Sequence, residues 1–417
     1  MSKVYRKISE LIDEISMGPF GSDIKVEYFV DHGVPVLNGS NISGVKLKDG
    51  FKNYVTEERA LNYKKAIARR GDIVITHRGT LGQIAYIPEN SKFEKYVISQ
   101  SQFRVKLKAK IVNPVYFAYY FHTNEGQKRL LSFKNHVGVP ALAQATTNFR
   151  LLDFPMIPKL EQDSVAKFLK TIDDKIELNS HIKAKLEAMA KTLYDFWFVQ
   201  FDFPDRNGKP YKSSGGEMEF NALLKRQIPK NWSDDSLWNV ADFYNGLPMQ
   251  KFRPVDDNFL RVIKIKEMNE GFSENSEMAR IDIPPQAVVE NGDILFSWSA
   301  TLDVKIWSRG IGALNQHIFK VTSSKYSKNF IYFELLNYLT HFKMMADQRK
   351  TTMGHITQDH LKQSRIVLPP SDLIKRMDEY MKPIFEKHLT LEQENQQLTE
   401  LRDWLLPMLM NGQVTVK

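Results

Sequence analysis

Clusters of basic residues beside turn-forming and hydroxyl-bearing residues are the features of this 417-residue sequence best suited to chemistry. Lysine and arginine can clamp phosphates, and neighbouring threonine and asparagine side chains can reach the edges of bases. Arg78 and Arg349 stand in turns rich in glycine or threonine, from which a long side chain projects, so we predict that they read bases. Any single one of these residues could equally belong to a solvated basic surface.

The predicted DNA-binding residues are divided between the two halves of the chain. In the first half they are Lys64, Lys65, Arg69, Arg70, Arg78, Thr80, Lys134 and Asn135. In the second half they are Lys251, Arg253, Thr301, Arg349, Lys350 and Thr351.

Catalytic and metal-binding patterns are missing from the sequence. It has no glycine-rich loop followed by Lys-Ser or Lys-Thr, and no cysteine for a nucleophile, a disulfide or a thiolate metal site. The histidines do not fall at metal-ligand spacing on a helix, so we predict no metal site. The run Asn113-Pro114-Val115-Tyr116 resembles the Asn-Pro-Pro-Tyr motif of amino-methyltransferases, but it lacks the second proline and a glycine-rich cofactor turn before it. A helix that starts with Asn as cap and Pro as first residue explains this run better.

Two long helices are predicted to position the basic clusters. From Glu161 to Phe203 apolar residues recur at steps of three or four, and no Gly or Pro lies between Leu160 and Asp202. A helix of ~38 residues would be ~57 Å long. That exceeds an ordinary globular helix and favours a coiled-coil spacer. Residues 371–406 carry a second heptad pattern, so we predict that the two helices pair antiparallel. The predicted helix–helix or partner interface comprises Phe168, Ile172, Ile176, Leu186, Met189, Leu193, Met381, Ile384, Leu391, Leu398 and Leu405.

Polar residues interrupt both apolar seams. Asn179 and Asn395 lie on otherwise apolar faces, where a buried asparagine lowers stability but fixes the register of paired helices. Alternatively, each could lie at the wet edge of its seam. Pro383 falls inside the second helix and predicts either a kink or a later start of that helix.

The second half of the sequence repeats the first. Gly71-Asp72-Ile73-Val74 recurs as Gly292-Asp293-Ile294-Leu295, and Phe103-Arg104-Val105 recurs as Phe319-Lys320-Val321. We therefore predict a duplicated α/β (α+β) fold, with two mixed α/β heads joined by two long antiparallel coiled-coil helices in a pseudo-two-fold molecule. The predicted boundaries are a first head at 1–158, a spacer helix at 159–203, a linker at 204–227, a second head at 228–370 and a second spacer helix at 371–412.

Some local elements can also be predicted. The spacing of Ile8, Leu11, Ile12 and Ile15 predicts an amphipathic helix over 8–16, and Glu57 to Ala68 reads as a basic helix. The aromatic residues at 116–121 and 330–338 have helical spacing, which favours a core position over a platform for stacking bases.

Composition gives broad limits. Lys plus Arg number 58 and Asp plus Glu 49, a net charge of +9 that favours a polyanionic partner without requiring one. No apolar run approaches the length of a membrane span, and the first residues lack the apolar stretch of a signal peptide. Together with the missing cysteines, these features predict a cytoplasmic protein without membrane contact.

Several motifs resemble one known family. The run LYDFWFVQFDFP at 193–204 continues through NGKPYKSSGG at 207–216, and LRDWLLP at 401–407 is followed by Asn411-Gly412. Ile228-Pro229 with Trp232 also fits the pattern. These motifs resemble the specificity subunit of type I restriction–modification systems over essentially the whole chain.

That resemblance implies a DNA-binding subunit without catalytic residues or a cofactor of its own. Each head would be a target recognition domain for one half of a split, asymmetric site in double-stranded DNA, and the helices would set the gap. The implied partners are two modification subunits, which bind AdoMet and methylate adenine, and two restriction subunits, which use ATP and Mg to translocate and cut. A stand-alone enzyme would need a cofactor loop or carboxylate cluster that the sequence lacks. A helical scaffold without DNA specificity remains the alternative.

Overall fold

The computed structural model describes residues 4–19, 24–135, 139–348 and 355–416. The chain forms two compact units. Unit one contains Met1–Lys175 with Leu398–Lys417, and unit two contains Ile176–Gln397. Both unit boundaries therefore fall inside long helices, and each unit takes one part of each helix. Arg349, Lys350 and Thr351, which were predicted to bind DNA, lie outside the described residues.

Unit one contains two four-stranded sheets and short helices. Its strands are β1 (Val4–Lys7), β2 (Ile12–Met17), β3 (Val34–Val36), β4 (Asn53–Val55), β5 (Ile67–Arg69), β6 (Ile73–Thr76), β7 (Ile84–Tyr86), β8 (Lys95–Val97), β9 (Gln102–Leu107), β10 (Lys134–Asn135), β11 (Ala141–Leu142) and β12 (Asp153–Met156). Its helices are α1 (Ile8–Leu11), α2 (Glu57–Leu61), α3 (Pro114–Tyr120), α4 (Asn124–Leu130), α5 (Ala145–Leu151) and the first part of α6 (Lys159–Tyr194).

Unit two follows the same plan. Its strands are β13 (Met218–Asn221), β14 (Arg226–Pro229), β15 (Ser233–Ser236), β16 (Asp242–Asn245), β17 (Phe259–Ile263), β18 (Met278–Arg280), β19 (Val288–Val289), β20 (Ile294–Ser297), β21 (Asp303–Ile306), β22 (Gly312–Leu314), β23 (Ile318–Thr322) and β24 (Arg365–Leu368). Its helices are α7 (Leu237–Val240), α8 (Ile265–Glu270), α9 (Lys328–Gln348), α10 (Gln358–Gln363) and most of α11 (Ser371–Met410), together with the end of α6.

The sheet topologies confirm the predicted duplication. Sheet β2-β9-β6-β7 in unit one has the same order as β16-β23-β20-β21 in unit two, and both are antiparallel. Sheet β4-β3-β8-β5 corresponds to β18-β17-β22-β19, and each has one parallel pair at its centre. The strand pairs β1-β12 and β15-β24 also correspond. Two mixed α/β units with long helices are therefore the architecture of this chain.

An ion pair at the same place, buried in unit one and partly buried in unit two, supports each first sheet. Asp72 approaches Arg104 on the neighbouring strand (Oδ2 to Nη1, 3.6 Å), and Asp293 approaches Lys320 (Oδ2 to Nζ, 2.8 Å). Each aspartate also accepts a hydrogen bond from the backbone N–H three residues earlier and so closes the turn into its strand. Burial raises the pKa of Asp72, although Arg104 acts against this shift.

Two glycines hold equivalent close contacts. A Cβ added to Gly18 would overlap the carbonyl oxygen of Ser99, and one added to Gly246 would overlap that of Asn315. Each glycine also donates its N–H to the first residue of the neighbouring strand. Gly18 donates to Gln102 O of β9 at 2.8 Å, and Gly246 donates to Ile318 O of β23 at 3.0 Å. Only a residue without a side chain allows the backbone to turn this close to its neighbour.

The aromatic segments are core, as predicted. Tyr116, Phe117 and Phe121 are fully buried in unit one, and Phe330 and Phe333 are buried in unit two. In unit one the same cluster includes Val165 and Leu169 of α6 and three residues of α11, namely Leu406, Leu409 and Met410. In unit two the largest cluster includes Ala190 and Tyr194 of α6, and Leu373, Met377 and Met381 of α11.

Two predicted helices are wrong. The segment 8–16 forms a single helical turn and then strand β2, because Ile15 pairs with Val105 and backbone hydrogen bonds to β9 outweigh local helix periodicity. The segment 57–68 is α-helical only to Leu61, forms a short 3₁₀ turn at Lys64–Ala66 and ends in strand β5, where Ile67 pairs with Val97. Helix α11 continues through Pro383 and begins at Ser371, so this proline does not mark the helix start.

Within unit two, the parts of α6 and α11 lie antiparallel around a buried amide pair. Asn179 is 0% and Asn395 8% exposed, so neither lies at a wet edge. Asn179 Nδ2 donates to Asn395 Oδ1 at 2.9 Å, and Asn395 Nδ2 donates to Ser180 Oγ at 3.1 Å. Lys183 pairs with Glu392, and Glu187 with His388, further along the same seam. A shift of register would leave buried amides without partners.

Within unit one, the first part of α6 meets the end of α11 in a polar contact beside the core. Arg402 Nη1 lies 2.7 Å from Asp173 Oδ1, and Tyr119 on α3 donates its hydroxyl hydrogen to the same carboxylate. Burial and the neighbouring Asp173 raise the pKa of the Tyr119 hydroxyl. Asp173 therefore connects three helices of unit one.

Substitution of Glu334 is expected to change how stability depends on pH. Glu334 is buried on α9 and accepts a hydrogen bond from Tyr194 Oη at 2.6 Å, and burial raises its pKa to about 7. Between about pH 4.5 and 7 the folded chain therefore binds more protons at this carboxyl than the unfolded chain does, so the free energy of unfolding falls as pH rises through this window. The Glu334→Gln variant should lose this pH dependence, which amounts to a change of about 3 kcal/mol in the free energy of unfolding across the window. Urea unfolding at pH 5 and pH 8 measures it, and Glu379→Gln, at an exposed position of α11, should keep the wild-type slope.

Gly18→Ala and Gly246→Ala should each destabilise the chain by about 1–3 kcal/mol, because the added methyl group collides with backbone rather than with a movable side chain. Thermal unfolding checks this result. Gly44→Ala is the matched control, since a Cβ there meets its nearest atom at 3.5 Å, which is ordinary contact. Equal melting temperatures for Gly246→Ala and Gly44→Ala would contradict the close-contact assignment.

Candidate nucleic-acid interface

One end of the first sheet collects three loops in each unit. In unit one, Met17 pairs with Phe103, Thr76 with Gln102, and Ile75 with Ile84. Because neighbouring strands are antiparallel, the loop after β2, the turn after β6 and the loop before β9 all lie at this end, which we call the loop end. In unit two, Asn245 pairs with Phe319, and Ser297 pairs with Ile318 and Asp303, so its loop end is equivalent.

The loop end of unit one brings together two predicted clusters that are distant in sequence. Ala141 pairs with Asn135 on one side and with Arg78 on the other. Neighbouring strands are about 4.8 Å apart, so the backbones of Arg78 and Asn135 are about 10 Å apart. Lys134 and Thr80 adjoin them, and all four side chains are exposed. Arg78, Thr80, Lys134 and Asn135 therefore form one polar, basic surface.

Backbone hydrogen bonds position this surface. Gly79 N donates to Pro140 O and Leu142 N donates to His77 O, both at 2.9 Å. Gly79 and Gly82 have φ of +86° and +85°, so the turn needs the left-handed conformation that glycine adopts freely. The side chain of Arg78 forms no ion pair with any residue in the described part of the chain. An arginine in this state can bind a phosphate, or the O6 and N7 atoms of guanine in a bidentate contact.

His77 is held beneath the turn. Its Nε2 lies 3.1 Å from Gln100 O, and its ring packs 6.4 Å from that of Phe103. Burial lowers the pKa of His77, and the adjacent Arg78 charge adds to this shift. A lowered pKa favours the neutral ring, so His77 supports the turn rather than supplying charge.

Four predicted residues of unit one lie away from the loop end. Arg69 pairs with Lys95 on sheet β4-β3-β8-β5, and Arg70 donates to Ser91 O at 2.8 Å. Both precede β6, whereas Arg78 follows it, so about 13 Å of strand separates them along the sheet. Lys64 and Lys65 are exposed in a helical turn, and Lys65 O accepts a hydrogen bond from Arg104 Nε at 3.0 Å. If these four residues contact DNA, they do so outside the loop end.

The predicted residues of unit two that the structure describes do not all lie together. Lys251 and Arg253 are exposed in the loop after β16, but they flank Phe252, whose carbonyl oxygen accepts a hydrogen bond from Arg280 N beside the start of β17, away from the loop end. Thr301 is exposed at the loop end, in the turn between β20 and β21. The preceding Ala300 has φ of +56°, as the equivalent Gly79 has a positive φ in unit one. Their role in DNA binding stays a prediction.

Sequence reasoning missed several polar side chains at this loop end. Trp298 donates its indole N–H to Asn245 Oδ1 at 2.9 Å, and the rings of His317 and His355 pack 5.8 and 5.5 Å from the indole ring. Alignment of the two halves of the sequence places Trp298 at the position of His77 and His317 at that of Ser101. That comparison was the one signal that could have found them.

The predicted interface residues of the long helices differ in exposure. Ile172, Met381 and Leu391 are buried, whereas Met189 is 60% exposed within this chain. The others are partly buried, namely Phe168, Ile176, Leu186, Leu193, Ile384, Leu398 and Leu405. Met189 therefore stays a prediction for contact with a partner.

Neither a metal site nor a membrane-spanning helix is found among the described residues. Within residues 4–19, 24–135, 139–348 and 355–416, no three or more His, Asp or Glu side chains come together in a way that could hold a metal ion. The helices in the described ranges are too short or too polar to cross a membrane.

Comparison with known proteins identifies the family. Residues 29–188 and 229–400 match the family described as type I restriction modification DNA specificity domain, so the chain belongs to this family and carries two copies of its domain. The chain is 24% identical over 425 residues to the type I restriction enzyme MjaIX specificity subunit of Methanocaldococcus jannaschii, and the alignment covers 99% of this chain and 93% of that protein. It is also 24% identical over 409 residues to the type I restriction enzyme HindI specificity subunit of Haemophilus influenzae, and this alignment covers 84% of this chain and 88% of that protein.

A solved structure has the same fold. The S subunit of a type I restriction–modification system from M. genitalium superposes with a TM-score of 0.58 at 14% identity and covers 98% of this chain and 96% of that one. The predicted family and duplicated fold are thereby confirmed.

Proposed function

We propose that this chain is the DNA-reading subunit of a type I restriction–modification complex, in which each unit reads one half of a split, asymmetric site. The observation that carries this proposal is the pair of equivalent loop ends, which share a backbone frame but expose different side chains. At its loop end unit one exposes Arg78, Lys134 and Asn135, and unit two exposes Asn245 and Thr301. Equivalent frames with different side chains suit two different half-sites.

The proposed task is recognition rather than chemistry. Phosphate contacts fix the register of a protein on DNA, and contacts with base edges supply the sequence preference. A base in a duplex must leave the stack before an enzyme can modify it. We therefore assign adenine methylation to two modification subunits that bind AdoMet, and translocation and cleavage to two restriction subunits that use ATP and Mg, with no cofactor and no catalytic residue in this chain.

The helices are the proposed spacer. The boundary between the units falls inside both α6 and α11, and the hydrogen bond between Asn179 and Asn395 favours one register in unit two. A fixed register would give the recognised site a fixed gap.

Single-molecule sequencing of DNA tests this function directly. Cells that express the chain with its modification subunit should gain N6-methyladenine at a two-part motif with a fixed gap, and cells that lack only this chain should not. If the complex assembles and no new methylated motif appears, the chain is a scaffold without DNA specificity.

Arg78→Ala and Lys64→Ala should have different effects. Loss of Arg78, which lies at the loop end, should cost about 1–3 kcal/mol of binding and relax one position in one half-site, because a base contact discriminates between sequences. Loss of Lys64, which lies away from it, should weaken binding to all sequences alike and reduce the slope of log affinity against log salt by about 1.

Titration of the assembled complex with target and scrambled duplexes at several salt concentrations separates these two effects. An Arg78→Ala complex with unchanged affinity and an unchanged methylated motif would contradict the role of Arg78 as a base reader.

A further inference from the structure

The loop end of unit two is organised around one partly exposed indole ring. Trp298 directly follows Ser297, the last residue of β20, and packs against Phe319 at 5.8 Å between ring centroids. His317 and His355 pack on the same ring at 5.8 and 5.5 Å. Three aromatic neighbours hold the indole in place, so the direction of its N–H is set by packing.

The indole N–H in turn orients Asn245. It donates to Asn245 Oδ1 at 2.9 Å, and an indole has no acceptor to offer. The oxygen of the Asn245 amide is therefore directed at the ring, and its NH₂ group faces away from it. Asn245 is exposed and is the last residue of β16, at the edge where the loops meet. A side chain fixed in this way directs its two NH₂ donors towards a ligand.

The two units agree in the frame around this position and differ at the position itself. His77 N donates to Ser101 O, and Trp298 N donates to His317 O at the equivalent place. Leu142 N donates to His77 O, and Ile356 N donates to Trp298 O. Yet Met17 occupies the position of Asn245, and His77 that of Trp298.

The backbone frame does not require one particular pair of side chains here, since it forms with Met17 and His77 in unit one and with Asn245 and Trp298 in unit two. Arg78 of unit one is replaced by Ser299 in unit two, which is buried. Unit two thus lacks an arginine in this turn and carries the oriented amide of Asn245 at the end of β16, on the far side of β23, instead.

An open pocket adjoins this edge. Its volume is about 390 Å³, and its polar lining groups include Gln250, Gln316 and His317 together with the Lys264–Glu277 ion pair. Because Lys264 and Glu277 pair with each other, the remaining polar groups of the lining are amides and an imidazole. Such groups suit hydrogen bonding to base edges more than binding to phosphates.

We propose that Asn245, oriented by Trp298, is a specificity-determining residue of unit two that donates to an acceptor on a purine edge in the major groove, the N7 atom of adenine or guanine. Trp298 is a positioning residue, which hydrogen-bonds to Asn245 and does not itself contact the base. This inference rests on the proposed function of the chain as a DNA-reading subunit.

The first test is the methylated motif produced by the complex with its modification subunit. Asn245→Ala should reduce discrimination at one position of one half-site by about 10-fold and leave the other half-site unchanged. Trp298→Phe keeps a ring in place but removes the N–H, so the Asn245 amide can turn over and the same position should relax. Asn258→Ala is the matched control, because this exposed asparagine precedes β17 at the end of that strand away from Asn315.

The second test uses duplexes in which single purines of the target are replaced by 7-deazapurines, which lack the N7 acceptor. The wild-type complex should lose about 10-fold in affinity at one position, and the Asn245→Ala complex should lose nothing further there. Equal losses in both complexes, or no loss at any position in the wild type, would overturn the assignment.

The outcomes separate this inference from the proposed function. If the wild-type complex methylates no two-part motif, the DNA-reading function itself fails. If it does, and both Asn245→Ala and Trp298→Phe reproduce the wild-type motif, only the role of Asn245 fails. An intact half-site elsewhere in the motif of a variant shows that the variant is folded and assembled.

Discussion

The pairing of α6 with α11 is the constraint on which each unit depends. Each helix has an apolar stripe and a polar opposite face, so its stripe is buried only when it packs against another element. In unit one, Val165 and Leu169 of α6 join Leu406 and Leu409 of α11 in the same core as the aromatic residues of α3. In unit two the hydrogen-bonded Asn179 and Asn395 add specificity to this apolar pairing, since any other register would bury their amides unsatisfied.

Stability and recognition are carried by different residues of each unit. Gly18 and Gly246 hold the loop ends by close backbone contact, and Asp72 and Asp293 close the turns at the opposite end of their strands by ion pairs and backbone hydrogen bonds, and all of these features recur in both units. The side chains that project from the loop ends do not recur. A frame fixed in this way can carry different exposed residues without a change of fold, which is how one duplicated domain can serve two different sequences.

The long helices, the duplication and the aromatic core could be predicted from sequence, because periodicity and internal repetition are local signals. The convergence of Arg78 with Asn135 could not, since it depends on the strand pairing of both with Ala141. The same holds for Asn245 and Trp298, which a hydrogen bond joins across 53 residues. The error at 8–16 has a related cause, because a helical spacing of isoleucines was overridden by pairing with a strand far along the chain.

The composition of unit one has a consequence for synthesis on the ribosome. Its core includes Leu406, Leu409 and Met410, which are translated after every residue of unit two. Unit two, from Ile176 to Gln397, is continuous in sequence and can complete its core while the chain is still being made. Unit one must wait with Val165 and Leu169 uncovered until the last turns of α11 emerge. The N-terminal half of the chain is thus the last to finish folding, and its exposed apolar surface is the part most in need of protection during translation.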